Sequence, residues 1–359
     1  MAHGACTRGQ QVLWGLHAST RRVRTIRRLG LSLFLLASLL PAASSSGCVP
    51  HATTTAQDAL SASSELATAA QPAQDASRTF AVIGDYGIGN ENELAVSKLV
   101  ASWNPAFVIA TGDDYYSPAG GSGTGKYDAS TGAYYGNWLK DISTTGTSCP
   151  VGRAAVNAFF PALGNHDYSD ATPAPETYLA YFTLPGTGFT NTSGNERYYD
   201  FVEGPVHFFV LDSNPEGMDG MSGTSAQALW LKAQLTASNS VWNVVYDHHP
   251  PYSSDSTHGS TDYMQWPFAA WGADVVISGH AHTYERINRD GIVYFVNGLG
   301  GAGRYRFDTP VIGSTARYCD DWGAQKVTAT DSTLDFEFYN VSGALIDNYR
   351  LSATPAPVN

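Results

Sequence analysis

The stretch Gly279-His280-Ala281-His282-Thr283-Tyr284-Glu285-Arg286 follows residues 273–278, an apolar segment with the composition of a buried strand. In an extended chain, side chains two residues apart point to the same side and lie roughly 6–7 Å apart. His280 and His282 can therefore straddle a pair of metal ions separated by about 3.5–4 Å. A lone His-x-His pattern is a weak signal, and it gains weight here from other polar segments that also follow apolar runs.

Four further segments place ligand-type side chains just after such runs. They are Gly84-Asp85-Tyr86-Gly87, Gly112-Asp113-Asp114-Tyr115-Tyr116, Gly164-Asn165-His166-Asp167 and Asp247-His248-His249-Pro250. The first two follow predicted strands at 79–83 and 107–110. In open α/β sheets, functional side chains gather at the carboxyl ends of the strands. We therefore expect the five segments to converge on one site.

The segments between them predict a mixed α/β fold. Asn90 followed by Glu93 resembles a capping box, and it opens a helix whose apolar face would comprise Leu94, Leu99, Val100 and Trp103. Residues 198–211 predict a hairpin, Ser225 a second helix start, and 242–246 a strand that leads to His248. The C-terminal third alternates predicted strands with turns, at 293–296, 324–328, 333–339 and 345–351.

Three interpretations concern residues around the expected site. The Gly/Ser/Tyr-rich segment 117–136 is typical of a mobile loop. His207 lies inside a predicted strand and is expected to be structural. Glu285 and Arg286 are expected to form a local ion pair.

The first 48 residues resemble a secretion signal. Arginines at 21–28 precede a largely apolar run at 29–40, which is too short to span a bilayer. Ser46-Gly47-Cys48 resembles a bacterial lipoprotein cleavage site that would leave Cys48 as a lipid anchor, and ordinary cleavage near Ala43 is the alternative. Residues 49–78 read as a flexible Ala/Thr/Ser-rich linker, and 79–359 as one folded domain. We expect an exported protein that is secreted, periplasmic or lipid-anchored at the cell envelope.

The charge balance restricts the partners. The chain has 20 basic and 32 acidic residues, and the signal segment carries six of the arginines and no acid, so the remainder has a net charge of −18. Such a chain is not expected to bind nucleic acid or an anionic membrane. Any affinity for phosphate must come from local cations, which metal ions would supply. Cys149 and Cys319 could pair, but no segment resembles a thiolate metal site.

The ligand types indicate which metals to expect. Carboxylate, amide and phenol oxygens combined with imidazole suit hard or borderline ions. Asp113 is the candidate bridge between two ions, with Asp85 binding one ion and Asn165 the other. Tyr116 is the most informative of the set because a phenol, with a pKa near 10, binds well only to an ion acidic enough to displace its proton. Ferric iron does so, whereas magnesium and calcium do not.

In this order, the five segments resemble those of the calcineurin-like metallophosphoesterases. Tyr116 and the tail Tyr284-Glu285-Arg286 narrow the resemblance to the purple acid phosphatases. It covers most of residues 79–351. The resemblance implies that 79–359 is a metallophosphoesterase catalytic domain, built as a four-layer α/β/β/α sandwich of two mixed β-sheets flanked by helices.

The resemblance also implies roles for individual residues. The Fe(III) site would comprise Asp85, Asp113, Tyr116 and His282, and the site for Fe(II), Zn(II) or Mn(II) would comprise Asp113, Asn165, His248 and His280. His248 matches the family's His-x-Pro pattern, which leaves His249 as a pocket or surface residue. His166 matches a histidine near the substrate phosphate, and His258 matches a pocket histidine of the small-type enzymes across an intervening loop.

The activity so implied is hydrolysis of small phosphoric monoesters at acidic pH by attack of a metal-bound hydroxide, with His166 and His258 protonating the leaving group. One alternative is a metallo-phosphodiesterase or nucleotidase on the same fold. Another is a non-catalytic surface lipoprotein that binds metal or phosphate, against which the intact ligand set argues. The sequence leaves the natural substrate and the oligomeric state open.

Overall fold

A computed structural model describes residues 77–143, 153–168 and 175–353 of the 359-residue chain. The expected signal segment and all but the last two residues of the linker lie outside the described residues, as does Cys149. Cys319 is disulfide-bonded. Within the described ranges, no helix has both the length and the apolar character needed to cross a bilayer.

The described residues form thirteen strands and six α-helices. The strands are β1 (Arg78–Ile83), β2 (Phe107–Ala110), β3 (Phe159–Pro161), β4 (Tyr199–Glu203), β5 (Val206–Val210), β6 (Trp242–Tyr246), β7 (Val275–Ser278), β8 (Tyr284–Arg289), β9 (Ile292–Asn297), β10 (Ser314–Tyr318), β11 (Gly323–Ala329), β12 (Thr333–Asn340) and β13 (Leu345–Ser352). The helices are α1 (Glu91–Ser102), α2 (Gly125–Tyr127), α3 (Ala133–Tyr135), α4 (Glu176–Tyr181), α5 (Ala226–Ala237) and α6 (Phe268–Trp271).

The strands make two mixed sheets. The first has the order β13-β12-β11-β1-β2-β3, with β1, β2 and β3 parallel and the remaining neighbours antiparallel. The second has the order β10-β8-β9-β7-β6-β5-β4, in which β5, β6, β7 and β9 are parallel. In each sheet, the parallel strands carry their carboxyl ends to a common edge, and the ligand segments follow these strands.

Alternation along the second sheet separates two apolar layers. In β5, Phe208 and Val210 belong to the large cluster between the sheets, whereas Phe209 and the following Leu211 pack with α5 and α6. This period of two is the signature of a strand covered on both faces. The second sheet therefore has the first sheet on one side and helices on the other.

Aromatic rings join the two sheets directly. Phe160 of β3 stacks on Phe201 of β4 with ring centroids 3.9 Å apart, and Phe107 of β2 meets Phe208 edge-on at 5.5 Å. Helix α1 packs beside β11 on the first sheet. These contacts confirm the four-layer sandwich of two mixed sheets flanked by helices.

Helix α1 begins as predicted, and its buried face overlaps the predicted one in part. The Asn90 side chain accepts hydrogen bonds from the amides of Asn92 and Glu93. The Glu93 carboxylate turns back to the amide of Gly89 at 2.6 Å rather than to that of Asn90. The buried face comprises Glu93, Val96, Ser97 and Val100, and Leu94 is 40% exposed. The predicted apolar face is confirmed at Val100, which is buried, and at Trp103, which packs against the core, and it is wrong at Leu94.

Much of the segment 117–136, expected from its composition to be a loop, is helical. Part of it forms α2, a π-helical turn and α3, and Tyr127 and Tyr135 are fully buried. The Ser130 hydroxyl donates to the carbonyl of Asp114 at 2.6 Å, and Thr131 pairs with the Tyr86 hydroxyl at 2.9 Å. The tyrosines supply the apolar surface that glycine and serine lack, so the segment packs behind the site.

Candidate metal centre

The site lies where the carboxyl ends of the parallel strands of both sheets meet. It comprises Asp85 after β1, Asp113 and Tyr116 after β2, Asn165 after β3, His248 after β6, and His280 and His282 after β7. The structure brings all seven predicted ligand residues together. Three of them, Asp85, Asp113 and His280, have φ values of 55°, 55° and 65°. This left-handed backbone is uncommon outside glycine and is concentrated at functional sites.

One group of side chains surrounds the Tyr116 hydroxyl. Its oxygen lies 2.8 Å from Oδ2 of Asp113, 3.4 Å from Oδ1 of Asp85 and 3.2 Å from Nε2 of His282. The same His282 nitrogen is 3.3 Å from Oδ1 of Asp85. These four residues therefore direct their ligand atoms toward one point.

A second group surrounds Nε2 of His248. This nitrogen lies 3.0 Å from Oδ1 of Asn165, 3.2 Å from Nδ1 of His280 and 3.3 Å from Oδ1 of Asp113. Asp113 thus turns one carboxylate oxygen to each group. This arrangement would let Asp113 bridge two ions.

Backbone groups orient these side chains. Nδ1 of His248 donates to the carbonyl of Thr111 at 2.8 Å, and Nδ1 of His282 donates to the carbonyl of Gly303, so Nε2 of each ring faces the site. The His280 amide donates to Oδ2 of Asp85 at 2.9 Å, and the His166 amide to Oδ1 of Asp113 at 2.9 Å. Such outer contacts fix the tautomer and orientation of metal ligands.

Burial and neighbouring charges set the protonation states of the predicted ligand side chains. Burial raises the pKa of Asp113, but the charges of His248 and His166 outweigh it and leave the pKa below the ordinary value. Burial and the charges of Asp113 and Asp85 raise the pKa of Tyr116. Burial and the neighbouring histidines lower the pKa of His280, which favours a neutral imidazole able to bind metal. The phenol would lose its proton only to a strongly acidic ion.

Three further histidines of the described residues, His166, His249 and His258, line the site. The His166 ring packs on Tyr116 with centroids 4.4 Å apart, and its side chain is 45% exposed, so it stands at the mouth. The His258 ring packs on His280 at 4.0 Å. His249 is buried, pairs with the Ser213 hydroxyl at 2.9 Å and packs on His280 at 4.4 Å. Burial and the charge of His248 lower the pKa of His249 to about 3.

Other contacts were missed or misread from the sequence. The ring of Tyr305 stacks on His282 at 4.2 Å with an angle of 6°, although it belongs to no recognisable motif. The expected ion pair of Glu285 and Arg286 is absent among the described residues, because Arg286 pairs with Asp347 at 2.8 Å. His207 is structural in its contacts: it bonds to Asp200 at 2.9 Å and to Ser238 at 3.2 Å, at the strand ends opposite the site.

Gly164 packs directly against the backbone and side chain of Asp113, so a substitution there tests how closely the site is packed. A Cβ atom at this position would lie 2.2 Å from Oδ1 and from the amide nitrogen of Asp113. We expect Gly164→Ala to lose bound metal and at least about 10²-fold in kcat/KM, since misplacing a reacting group by about 1 Å has effects of that size. Gly223→Ala, whose Cβ would meet only a Trp266 ring atom at 3.9 Å, is the matched control. Full metal content in Gly164→Ala, measured by elemental analysis, would contradict this expectation.

Asp212 links the turn that carries Asn165 and His166 to the second sheet. Its Oδ2 accepts the hydroxyl of Tyr168 at 2.5 Å, and its Oδ1 accepts the amide of Asn214 at 3.1 Å. Burial raises the pKa of Asp212 to about 6, although both hydrogen bonds oppose the rise. A folded-state pKa above the unfolded value means that the carboxyl group's stabilisation is complete below about pH 3.8 and is lost as pH rises through 6.

We expect the unfolding free energy of the wild type, relative to Asp212→Asn, to fall by about 2 kcal/mol between pH 4 and pH 8, because one pKa unit corresponds to about 1.4 kcal/mol and the unfolded carboxyl group is already about half ionised at pH 4. Urea denaturation of both proteins at a series of pH values measures the difference. Parallel pH profiles for the two proteins would show that Asp212 does not titrate in this range.

Comparison with known proteins agrees with this geometry. Residues 78–284, more than half of the chain, match the family model of the calcineurin-like phosphoesterases. Purple acid phosphatase 23 of Arabidopsis thaliana is 26% identical over 262 residues, which cover 64% of this chain and 54% of that protein. Phosphoenolpyruvate phosphatase of Allium cepa is 26% identical over 232 residues, which cover 61% of this chain and 44% of that protein. The chain thus spans about half the length of these relatives.

Solved structures show the same fold. Purple acid phosphatase PPD1 from yellow lupin (Lupinus luteus) covers 79% of this chain and 55% of its own, with a TM-score of 0.59 and 17% identity. GAP50, described as the anchor in the inner membrane complex of Plasmodium, covers 78% of this chain and 90% of its own, with a TM-score of 0.58 and 16% identity. At these sequence identities, the structural similarity is evidence for the fold alone. From the family match and the strand-end ligand cluster together, this chain is a metallophosphoesterase of the calcineurin-like phosphoesterase family, similar to the purple acid phosphatases.

Proposed function

We propose that this protein is an exported phosphatase with two metal ions that hydrolyses phosphoric monoesters at acidic pH. The observation that carries the proposal is the Tyr116 hydroxyl, set between Asp85, Asp113 and His282 while the second oxygen of Asp113 faces His248. A phenol in one half of a bridged site favours one strongly acidic ion there and a divalent ion in the other half.

The donor set fits such a pair. The residues that would hold Fe(III) are Asp85, Asp113, Tyr116 and His282, and those that would hold Fe(II), Zn(II) or Mn(II) are Asp113, Asn165, His248 and His280. When bound, these ions supply the Lewis acidity that activates water and neutralises charge on phosphate oxygens. The acidic chain then needs no basic surface to bind a small anionic substrate.

The protein side chains would handle the leaving group. His166 stands at the mouth, with Nε2 4.0 Å from Oδ2 of Asp113, where it can donate a proton to a departing alkoxide. His258 lies over His280 and is the second candidate donor. Burial lowers the pKa of His258, so donation from its ring requires a more acidic solution. This supports an acidic optimum.

Metal analysis combined with paired assays tests the function. The monoester and the diester of one chromogenic alcohol are compared across a pH series, with phosphoenolpyruvate as a further monoester because one relative is named for it. We expect hydrolysis of the monoester in preference to the diester, with a maximum below neutral pH. A preference for the diester would favour the phosphodiesterase or nucleotidase alternative. Metal binding without hydrolysis would favour the non-catalytic alternative.

Export is proposed from the first 48 residues alone, which lie outside the described residues. Expression of the full chain in a bacterium, followed by fractionation and mass analysis of the mature N-terminus, tests it. A modified Cys48 in the membrane fraction indicates a lipid anchor, whereas a free N-terminus near Ala43 indicates ordinary cleavage. Retention of the whole segment in the cytoplasm would overturn the proposal.

A further inference from the structure

The Glu285 carboxylate is fully buried, immediately beyond the segment that supplies His280 and His282. It accepts hydrogen bonds from three uncharged donors. These are the amide of Ser254 at 2.7 Å, the hydroxyl of Ser254, and the hydroxyl of Ser314 at 2.6 Å. A buried carboxylate is costly unless its oxygens are satisfied, so these contacts are tightly specified.

Ser254 lies in one of two paired segments at the rim of the site. The segments 253–258 and 305–311, here called the rim pair, meet at an antiparallel bridge between Asp255 and Phe307. The amide of Asp308 donates to the Ser254 carbonyl at 2.8 Å, and the amide of Val311 to the Ser254 hydroxyl at 2.9 Å. Glu285 therefore holds one of the residues through which the two segments are joined.

Each segment of the rim pair presents one ring to the metal centre. The Asp255 carboxylate accepts the amide of His258 at 2.7 Å, and the His258 ring packs on His280 at 4.0 Å. The amide of Tyr305 donates to the His282 carbonyl at 3.0 Å, and its ring stacks on His282 at 4.2 Å. The two presented rings meet edge-on at 5.3 Å.

We propose that Glu285 is a positioning residue that, by holding Ser254, keeps the rim pair in place and thereby keeps His258 over the metal centre. The expected effect on catalysis rests on the proposed function. The expected effect on the position of the rim pair does not. Loss of the Glu285 contacts should free the rim pair while leaving the seven ligand residues in position.

Amide hydrogen exchange of the metal-free protein tests the structural half. In Glu285→Gln, one carboxylate oxygen becomes an amide nitrogen that cannot accept from Ser254. We expect the amides of Ser254, His258 and Val311 to exchange at least about tenfold faster, and those of β9 to be unchanged, because local opening has its own free energy. The matched control is Arg286→Met, the next residue on β8, whose side chain pairs with Asp347 instead. Wild-type exchange in Glu285→Gln would overturn the inference.

A double-mutant cycle with His258 tests the catalytic half. We expect Glu285→Gln to lower kcat/KM for a chromogenic monoester by about tenfold, the scale of orienting contacts around a metal site. In a His258→Ala background, the same change should lower kcat/KM by less than about twofold, because residues that act through one another are not additive. Arg286→Met should stay within about twofold of wild type, because its side chain contacts Asp347 and Tyr349 instead of the rim pair. An equal loss in both backgrounds would refute the action through His258.

A second variant and the exchange measurement distinguish failure of this inference from misfolding and from failure of the proposed function. Should Glu285→Gln fail to fold, Ser254→Ala removes the hydroxyl contact while leaving the carboxylate, and the same exchange and cycle criteria apply to it. A wild-type protein with no activity on any monoester would be a failure of the proposed function. The exchange result would then still decide whether Glu285 holds the rim pair.

Discussion

Asp113→Asn is expected to lose at least one of the two bound metals and at least about 10³-fold in kcat/KM, since the charge stabilisation that metals supply amounts to several kcal/mol. The substitution keeps the shape of the side chain and removes its charge. It also leaves only one oxygen, although the two groups around Tyr116 and His248 each use one oxygen of Asp113. Elemental analysis and steady-state kinetics on a chromogenic monoester measure the two effects.

Asp347→Asn is the matched control for Asp113→Asn. Asp347 also accepts a tyrosine hydroxyl, from Tyr284 at 2.8 Å, and pairs with Arg286, but it lies on β13 away from the ligands. Its variant should retain both metals and stay within about twofold of wild-type kcat/KM, because distant sites contribute independently. If Asp113→Asn kept both metals and most of its activity, the bridging assignment would be wrong.

If Tyr116 binds Fe(III) as proposed, the wild-type holoprotein should show a visible band from phenolate-to-Fe(III) charge transfer, and Tyr116→Phe is expected to abolish it. The ring remains to pack on His166, so the fold should survive. The variant removes the hydroxyl that lies among Asp85, Asp113 and His282, and with it the ligand that best distinguishes ferric iron from a divalent ion. Absorption spectroscopy with iron analysis provides the measurement.

Tyr305→Phe is the companion to that experiment. The Tyr305 ring stacks on His282 at the same centre, so both variants remove one hydroxyl from a ring beside the site. Only Tyr116→Phe should remove the visible absorption band. A wild-type protein that contains iron but shows no band, or a band that persists in Tyr116→Phe, would remove the basis for the ferric assignment.

Much of the fold could be predicted because its strands are local patterns. The strands β1, β2, β6 and β9 each contain at least three consecutive apolar residues, as expected of strands covered on both faces. Strand β8 was missed because its residues, Tyr-Glu-Arg-Ile-Asn-Arg, look polar. The Glu285 and Arg286 side chains on it find partners from other elements. A buried charge whose partner lies on another element leaves no periodic signal.

The identity and order of the five ligand segments could be read from the chain, because each needs only a strand that ends beside a metal-binding side chain. Only the tertiary structure decided which oxygen of Asp113 faces which group of ligands. It also decided which residues hydrogen-bond to the Glu285 carboxylate, and that the Tyr305 ring stacks on His282. These depend on contacts between residues far apart in sequence, such as Tyr116 with His282, 166 positions away. The physical reason is that ligand chemistry is a local property of side chains, whereas convergence of those side chains depends on how two separate sheets pack.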